Sequence, residues 1–231
     1  MLIFDLGAYT LDSTSKYFEA LPDNNIVAVE ANMEIVEDFL KVKYAHYIES
    51  GNLEIVNKAV YDKDGTMIDF YIEDRSLYDE EYGTWSSIYR NIAERATKSK
   101  CSYKIDTVTL SSLIRRYGTP DYLKIDIEGA DILVLKDLKR IDELPKLISA
   151  ETECLDNRNS TDGLDVIRAL HEGGYTKFFL EDQNTPVVDN VFTYPFVWMS
   201  YDECVEKLTE LRKSHTFITN YDFWYDVYAT Y

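Results

Sequence analysis

Between Leu2 and Val60 short apolar runs alternate with amphipathic ones, and this alternation restricts the architectures open to the chain more than any other feature. Leu2-Ile3-Phe4 reads as a strand, Asp5-Leu6-Gly7-Ala8 turns out of it, and Asp12 to Ser15 supplies cap-type residues before a helical run, Lys16 to Leu21, that stops at Pro22. Ile26-Val27-Ala28-Val29 is a second strand, ending in Glu30. A helix from Met33 to about Tyr47 follows, with apolar residues at Ile35, Val36, Phe39, Leu40 and Val42. Leu53 to Val60 is a third strand. Strands and helices alternating through short loops are the pattern of a doubly wound, mostly parallel sheet with helices on both faces, an α/β fold.

Further strands are expected at Met67 to Ile72, Tyr103 to Leu110, Tyr122 to Ile127, Lys146 to Glu151, Tyr175 to Glu181 and Val191 to Met199. Helices are expected at Ser111 to Tyr117, Ala130 to Leu138, Asp162 to Glu172 and Tyr201 to Arg212. Of these nine strand runs about seven are expected as strands of the main sheet, and there is no internal repeat. A length of 231 residues and an apolar content of 45% suit one domain, residues 1–231, with a substantial core. Glu73 to Lys100 is polar and irregular around Gly83-Thr84-Trp85-Ser86-Ser87, and loops of this length inside a compact domain are functional or disordered. The tail, about 216–231, is dense in aromatics from Tyr221 to Tyr231. It is a candidate surface for a partner or a second copy, or else packs on its own core or pairs with the sheet edge.

A formal charge of −18 repels phosphate backbones and anionic lipid, so neither nucleic acid nor a membrane surface is an expected partner. The basic cluster Arg90, Arg95, Lys98, Lys100 and Lys104 reads as a solvated face. Met1 to Leu6 has no basic flank and reaches Asp5 too soon for a signal peptide, and no apolar run approaches spanning length. Cys101, Cys154 and Cys204 are dispersed and odd in number, which suits a reduced cytoplasmic protein without disulfides or a zinc cluster. His46, His171 and His215, in or just after predicted helices, read as structural.

The chemistry concentrates in Tyr122-Leu123-Lys124-Ile125-Asp126-Ile127-Glu128-Gly129-Ala130-Asp131. Residues two apart on a strand share a face, so in a central parallel strand Asp126 and Glu128 emerge together at the carboxyl edge, where open α/β sheets bind ligands. The other reading is that these acids start the next helix, whose N-terminus favours carboxylates. The first turn has Gly7 but none of the further glycines of a dinucleotide fingerprint, which disfavours NAD or FAD. A nucleoside without phosphates needs only a tight turn, an acid for the ribose hydroxyls and a base slot. Gly7, Glu30 and Asn57-Lys58-Ala59-Val60 supply these in order; Glu30 is otherwise a helix-capping acid.

These residues resemble the FkbM-type S-adenosylmethionine-dependent methyltransferases. The likeness is carried by Phe4-Asp5-Leu6-Gly7-Ala8 with Thr14, Val27-Ala28-Val29-Glu30-Ala31-Asn32, Asn57-Lys58-Ala59-Val60 with Gly65, Gly83 to Ile88, Val108-Thr109-Leu110, Lys124-Ile125-Asp126-Ile127-Glu128-Gly129 and Gly173-Gly174-Tyr175. Tyr9 and Leu11 stand where the family turn has Asn and a second Gly. The resemblance implies a Rossmann-like class I methyltransferase fold, S-adenosylmethionine as cofactor, and methylation of a hydroxyl on a small molecule or glycan. It implies a cofactor site of Asp5, Gly7, Ala8, Tyr9, Glu30, Ala31, Asn32, Asn57 and Ala59, with Asp126 at the methionine end. Asp126 and Glu128 are then candidate bases or acceptor-positioning groups, Lys124 orients either carboxylate, and Trp85, Ser86 and Ser87 are a candidate acceptor wall or an ordinary surface turn. Two carboxylates suit magnesium, but nothing else in the sequence marks a metal cage. The alternatives are a catalytically silent module that binds another protein and, further off, a nicotinamide-dependent oxidoreductase.

Overall fold

The computed structural model describes residues 1–20, 24–74, 85–94, 99–153, 163–215 and 224–231. Pro22, Gly83, Thr84, Arg95, Lys98, Cys154 and the 216–223 part of the aromatic tail lie outside the described residues. The first half contains β1 (Leu2–Leu6), α1 (Lys16–Ala20), β2 (Asn25–Val29), a π-helical turn (Ile35–Leu40), α2 (Lys41–Lys43), α3 (Ala45–Glu49) and β3 (Leu53–Val56). An excursion follows: β4 (Ala59–Val60), β5 (Ile68–Glu73), α4 (Arg90–Ala93), β6 (Ser99–Ile105) and β7 (Thr107–Val108). The second half comprises α5 (Leu110–Tyr117), β8 (Tyr122–Ile125), α6 (Asp131–Asp137), β9 (Leu147–Glu153), α7 (Gly163–Gly173), β10 (Lys177–Asp182), α8 (Tyr201–His215) and β11 (Trp224–Thr230).

Seven of these strands form one sheet in the order β3-β2-β1-β8-β9-β11-β10, in which β11 runs antiparallel to both neighbours. The central strands β1, β2 and β8 are buried on both faces, and their side chains divide by the two-residue period. Phe4, Leu6, Val27, Val29, Leu123 and Ile125 enter a core with Leu113 of α5, Val134 of α6, Ile167 of α7 and Leu208 of α8. On the opposite face Ile3, Ile26, Ala28 and Tyr122 pack with Tyr17, Phe18, Ile35 and Leu40. Among the described residues no helix is long and apolar enough to cross a membrane.

Four expectations need correcting. Leu53 to Val60 is two strands: the chain turns so tightly at Asn57 that the Lys58 amide donates to the Val56 carbonyl (3.0 Å), and β4 leaves the main sheet to pair with β7. The helix expected from Met33 to Tyr47 is broken into the π-turn and two short helices, with Tyr44 between them. Val191 to Met199 begins as a turn closed on the Asn190 carbonyl and continues without regular structure, with half-buried Phe192, Tyr194, Phe196 and Trp198 alternating with exposed Thr193, Pro195 and Val197. It lies against a face of the sheet, packed on Phe179 and Tyr228, and only Met199 makes a ladder contact, with Phe178. Finally, the tail strand β11 is internal, between β9 and β10, rather than at the sheet edge.

Candidate active site

The carboxyl ends of β1, β2 and β8 open into a cleft, closed on its outer side by Phe70 of β5 and by Ser86 and Ile88. Its floor begins at Gly7, whose amide and that of Ala8 both donate to the Val29 carbonyl (2.9 and 3.1 Å). Gly7 has φ +82°, and a Cβ there would stand 1.7 Å from the Asp126 carbonyl oxygen. Both the conformation and the contact require glycine.

Glu30, at the end of β2, lines the same cleft. Its Oε2 accepts from the Tyr9 amide (2.8 Å) and its Oε1 from the Asn32 amide (2.7 Å), so the acid ties the β1 and β2 turns together. Burial pushes its pKa up to about 7 against the lowering effect of the Asn32 and Tyr9 amides. Asn57 reaches across to donate to the Glu30 carbonyl (2.8 Å). From β6, the Tyr103 hydroxyl takes the Met33 amide (2.7 Å) and donates to the Ala31 carbonyl (2.5 Å), pinning the loop that follows Glu30.

Register explains the opposite end. Asp5 and Lys124 are paired across β1 and β8, on the face that Tyr122 and Asp126 share. The Lys124 ammonium donates to Asp126 Oδ2 at 2.8 Å and lies 3.8 Å from Asp5 Oδ1, while Thr14 donates to Asp5 Oδ2 (2.6 Å). Burial disfavours the ammonium, yet Asp126 and Asp5 outweigh it and lift the Lys124 pKa well above the usual range. Burial raises the Asp5 pKa despite the opposing Lys124 charge.

β8 ends at Ile125, and Glu128 takes a left-handed conformation, φ 53°, so the strand period does not extend to it. The turn nevertheless brings Asp126 and Glu128 together with Glu151 of β9, carboxylate oxygens lying within 4.8 Å of one another. The helix-starting role falls to Asp131 instead, whose carboxylate accepts from the Gly129 (3.1 Å) and Ile127 (3.4 Å) amides. Glu151 faces Asp226 of β11, and Asp226 faces Glu181 of β10, so a row of acids crosses the sheet edge. Gln183 donates to both Glu151 (3.3 Å) and Asp226 (3.0 Å). Burial and the neighbouring Asp126 raise Asp226 to about 7 and Asp131 to about 6; burial with Asp126 and Glu128 puts Glu151 well above the ordinary carboxylate range.

Of the residues expected at the site, Gly7, Tyr9, Glu30, Ala31, Ala59, Ser86, Asp126 and Glu128 line the cleft. Asp5, Asn32, Asn57 and Lys124 stand behind that lining and hold it, and Ala8 packs into the α1-side core. Trp85 is tied by its amide to Glu73 (3.0 Å), and Ser87 is buried. Sequence reasoning missed the apolar lining residues Ile35, Phe70 and Ile88, whose signal was only that of core positions, and the carboxylates of Glu151 and Asp226, which reach the site through register.

Residues 5–177 match the family model for the methyltransferase FkbM domain. Among curated proteins, none matches the chain. Among solved structures, a methyltransferase FkbM from Methylobacillus flagellatus is 16% identical with a TM-score of 0.49, the likeness covering 77% of this chain and 39% of that one. The StiE O-MT segment 942–1257 is 8% identical with a TM-score of 0.50, covering 99% of this chain and 67% of that one. A precorrin-6y C5,15-methyltransferase from Geobacter metallireducens is 11% identical with a TM-score of 0.45, covering 99% and 78%.

Proposed function

The chain belongs to the methyltransferase FkbM domain family, and we propose that it transfers a methyl group from S-adenosylmethionine to a hydroxyl of a small molecule or glycan. The observation that carries this reading is one cleft with a buried acid, Glu30, on one wall and the Asp126–Glu128 pair on another, joined by a glycine turn at Gly7 that lets β1 pass close against the Asp126 backbone.

The residues present fit a nucleoside cofactor. A carboxylate has about four acceptor positions, and the backbone amides of Tyr9, Asn32 and Ala31 on Glu30 leave acceptor capacity for a ribose hydroxyl. Ile35, Val60 and Phe70 offer an apolar slot for the base, beside Ala59. Bound there, S-adenosylmethionine supplies an electrophilic methyl group on a sulfonium, whose positive charge a nearby carboxylate complements. Lys124 holds the Asp126 carboxylate through Oδ2 and thereby fixes its orientation towards the acceptor. Asp126 or Glu128 takes the hydroxyl proton, and most of the acceleration comes from holding the acceptor oxygen in line. Glu151 retains its proton to higher pH than an ordinary glutamate, which suits it to donate a hydrogen bond to the acceptor rather than to act as base. The row of acids favours neutral or cationic acceptors over phosphorylated ones.

Methyl-labelled S-adenosylmethionine incubated with panels of neutral sugars, polyols, amines and carboxylic acids tests the reaction class. Label entering sugars or polyols in a linkage stable to mild base, and lost in Asp126→Asn, is the expected result. Label confined to amines, or to base-labile esters, contradicts a hydroxyl acceptor.

A further inference from the structure

Ser87 was a candidate for the acceptor wall, but its hydroxyl is already committed. It donates to the Glu128 main-chain carbonyl at 2.7 Å and accepts from the Tyr89 amide at 3.0 Å, and the residue is only 1% exposed. With its proton and one lone pair committed and the residue buried, this hydroxyl has little left to offer a substrate.

The group it holds is strained. Glu128 is not glycine, yet it adopts φ 53°, a conformation that persists only where the surroundings over-determine it. Two sets of contacts do so. From inside, Asp131 accepts the Ile127 and Gly129 amides. From outside, Ser87 takes the Glu128 carbonyl, and Ile92 of α4 packs so closely on Gly129 that a Cβ there would lie 2.2 Å from Ile92 Cδ1. Ser87 is itself fixed to β5 by a pair of backbone hydrogen bonds with Tyr71 (2.8 and 3.0 Å), and the adjacent Ser86 hydroxyl accepts the Glu73 amide (3.1 Å).

We propose that Ser87 is a positioning residue: through its hydrogen bond to the Glu128 carbonyl it locks the Asp126–Gly129 turn in the conformation that presents the Asp126 and Glu128 carboxylates together. The catalytic part of this inference rests on the proposed methyl transfer; the conformational part does not. Ser87 thus passes the rigidity of β5 to the acidic turn, and the Trp85–Ser87 segment divides its work. Ser86 faces the cleft, whereas Ser87 faces the turn.

Hydrogen exchange at the Ile127 and Gly129 amides of the full chain, without ligand, tests the lock. Ser87→Ala is expected to speed exchange there about fivefold to tenfold, the equivalent of one lost hydrogen bond, with Leu123 and Ile125 of β8 unchanged. Ser87→Thr, which keeps the hydroxyl, restores the slow exchange. On any acceptor that the wild type methylates, Ser87→Ala lowers kcat about tenfold while KM for the cofactor stays within about twofold, and Ser87→Thr recovers the rate. Unchanged exchange in Ser87→Ala overturns the proposal, as does fast exchange in Ser87→Thr, even where Ser87→Ala does not fold. A wild type that binds no cofactor overturns the function instead, because the exchange experiment needs none.

Discussion

At the scale of single residues, the glycine turn is the informative place, because two of its positions combine a bulky residue with a left-handed backbone. Tyr9 has φ 44° and Leu11 φ 61°, both in the left-handed region that Asn and Gly enter readily. Leu11 is fully buried with Tyr17 and Phe18. Burying a leucine contributes about 1.5–3 kcal/mol, against about 1–2 kcal/mol for the left-handed backbone, so packing outweighs strain. Leu11→Gly should accordingly lower stability by about 2 kcal/mol in denaturant unfolding, after the relief of strain is counted. Increased stability would mean that strain, not burial, dominates the turn. Glu30 was legible as a cleft acid from its place after an apolar strand. That it also binds the Tyr9 and Asn32 amides was not, since those bonds depend on how two turns meet.

At the scale of elements, the strands β1, β2 and β8 were legible because each is a short apolar run bounded by turn residues, and they carry the cleft. Position in the sheet was less legible than existence. β11 is rich in aromatic and β-branched residues, but nothing local says that it inserts antiparallel between β9 and β10. The acidic row follows from that insertion, since it needs Asp126, Glu151 and Asp226 on adjacent strands at one level. Val191 to Met199 shows the converse error. Its period-two burial is that of a strand, but it packs flat on Phe179 and Tyr228, and Pro195 has no amide to give a ladder. Lys124 and Asp126 were legible together, because i and i+2 share a face; Asp5 joins them by register alone.

At the scale of the molecule, the acids set how stability varies with pH. Glu30 and Asp226 sit at about 7 and Asp131 at about 6, all above their ordinary values of 4.5, 3.8 and 3.8. The folded chain therefore keeps protons that the unfolded chain has already released across this interval. Stability from these groups is present below about pH 4 and is lost as pH rises through 6 to 7, an effect of order a few kcal/mol. Asp64, Asp106 and Asp121, whose pKa values are lowered, act in the opposite sense but only below about pH 4. The unliganded protein should thus melt at a lower temperature at pH 8 than at pH 5.5, and Glu30→Gln should reduce the difference. A melting temperature that rises over this interval would contradict the burial of these acids. The most direct test of the cleft's role is calorimetric titration at pH 8, where Glu30 is ionised, with S-adenosylhomocysteine as ligand and NAD as control. The account predicts micromolar affinity for the former alone, about −8 kcal/mol, weakened at least about tenfold by Glu30→Ala. No binding of S-adenosylhomocysteine, or equal binding of NAD, would contradict it.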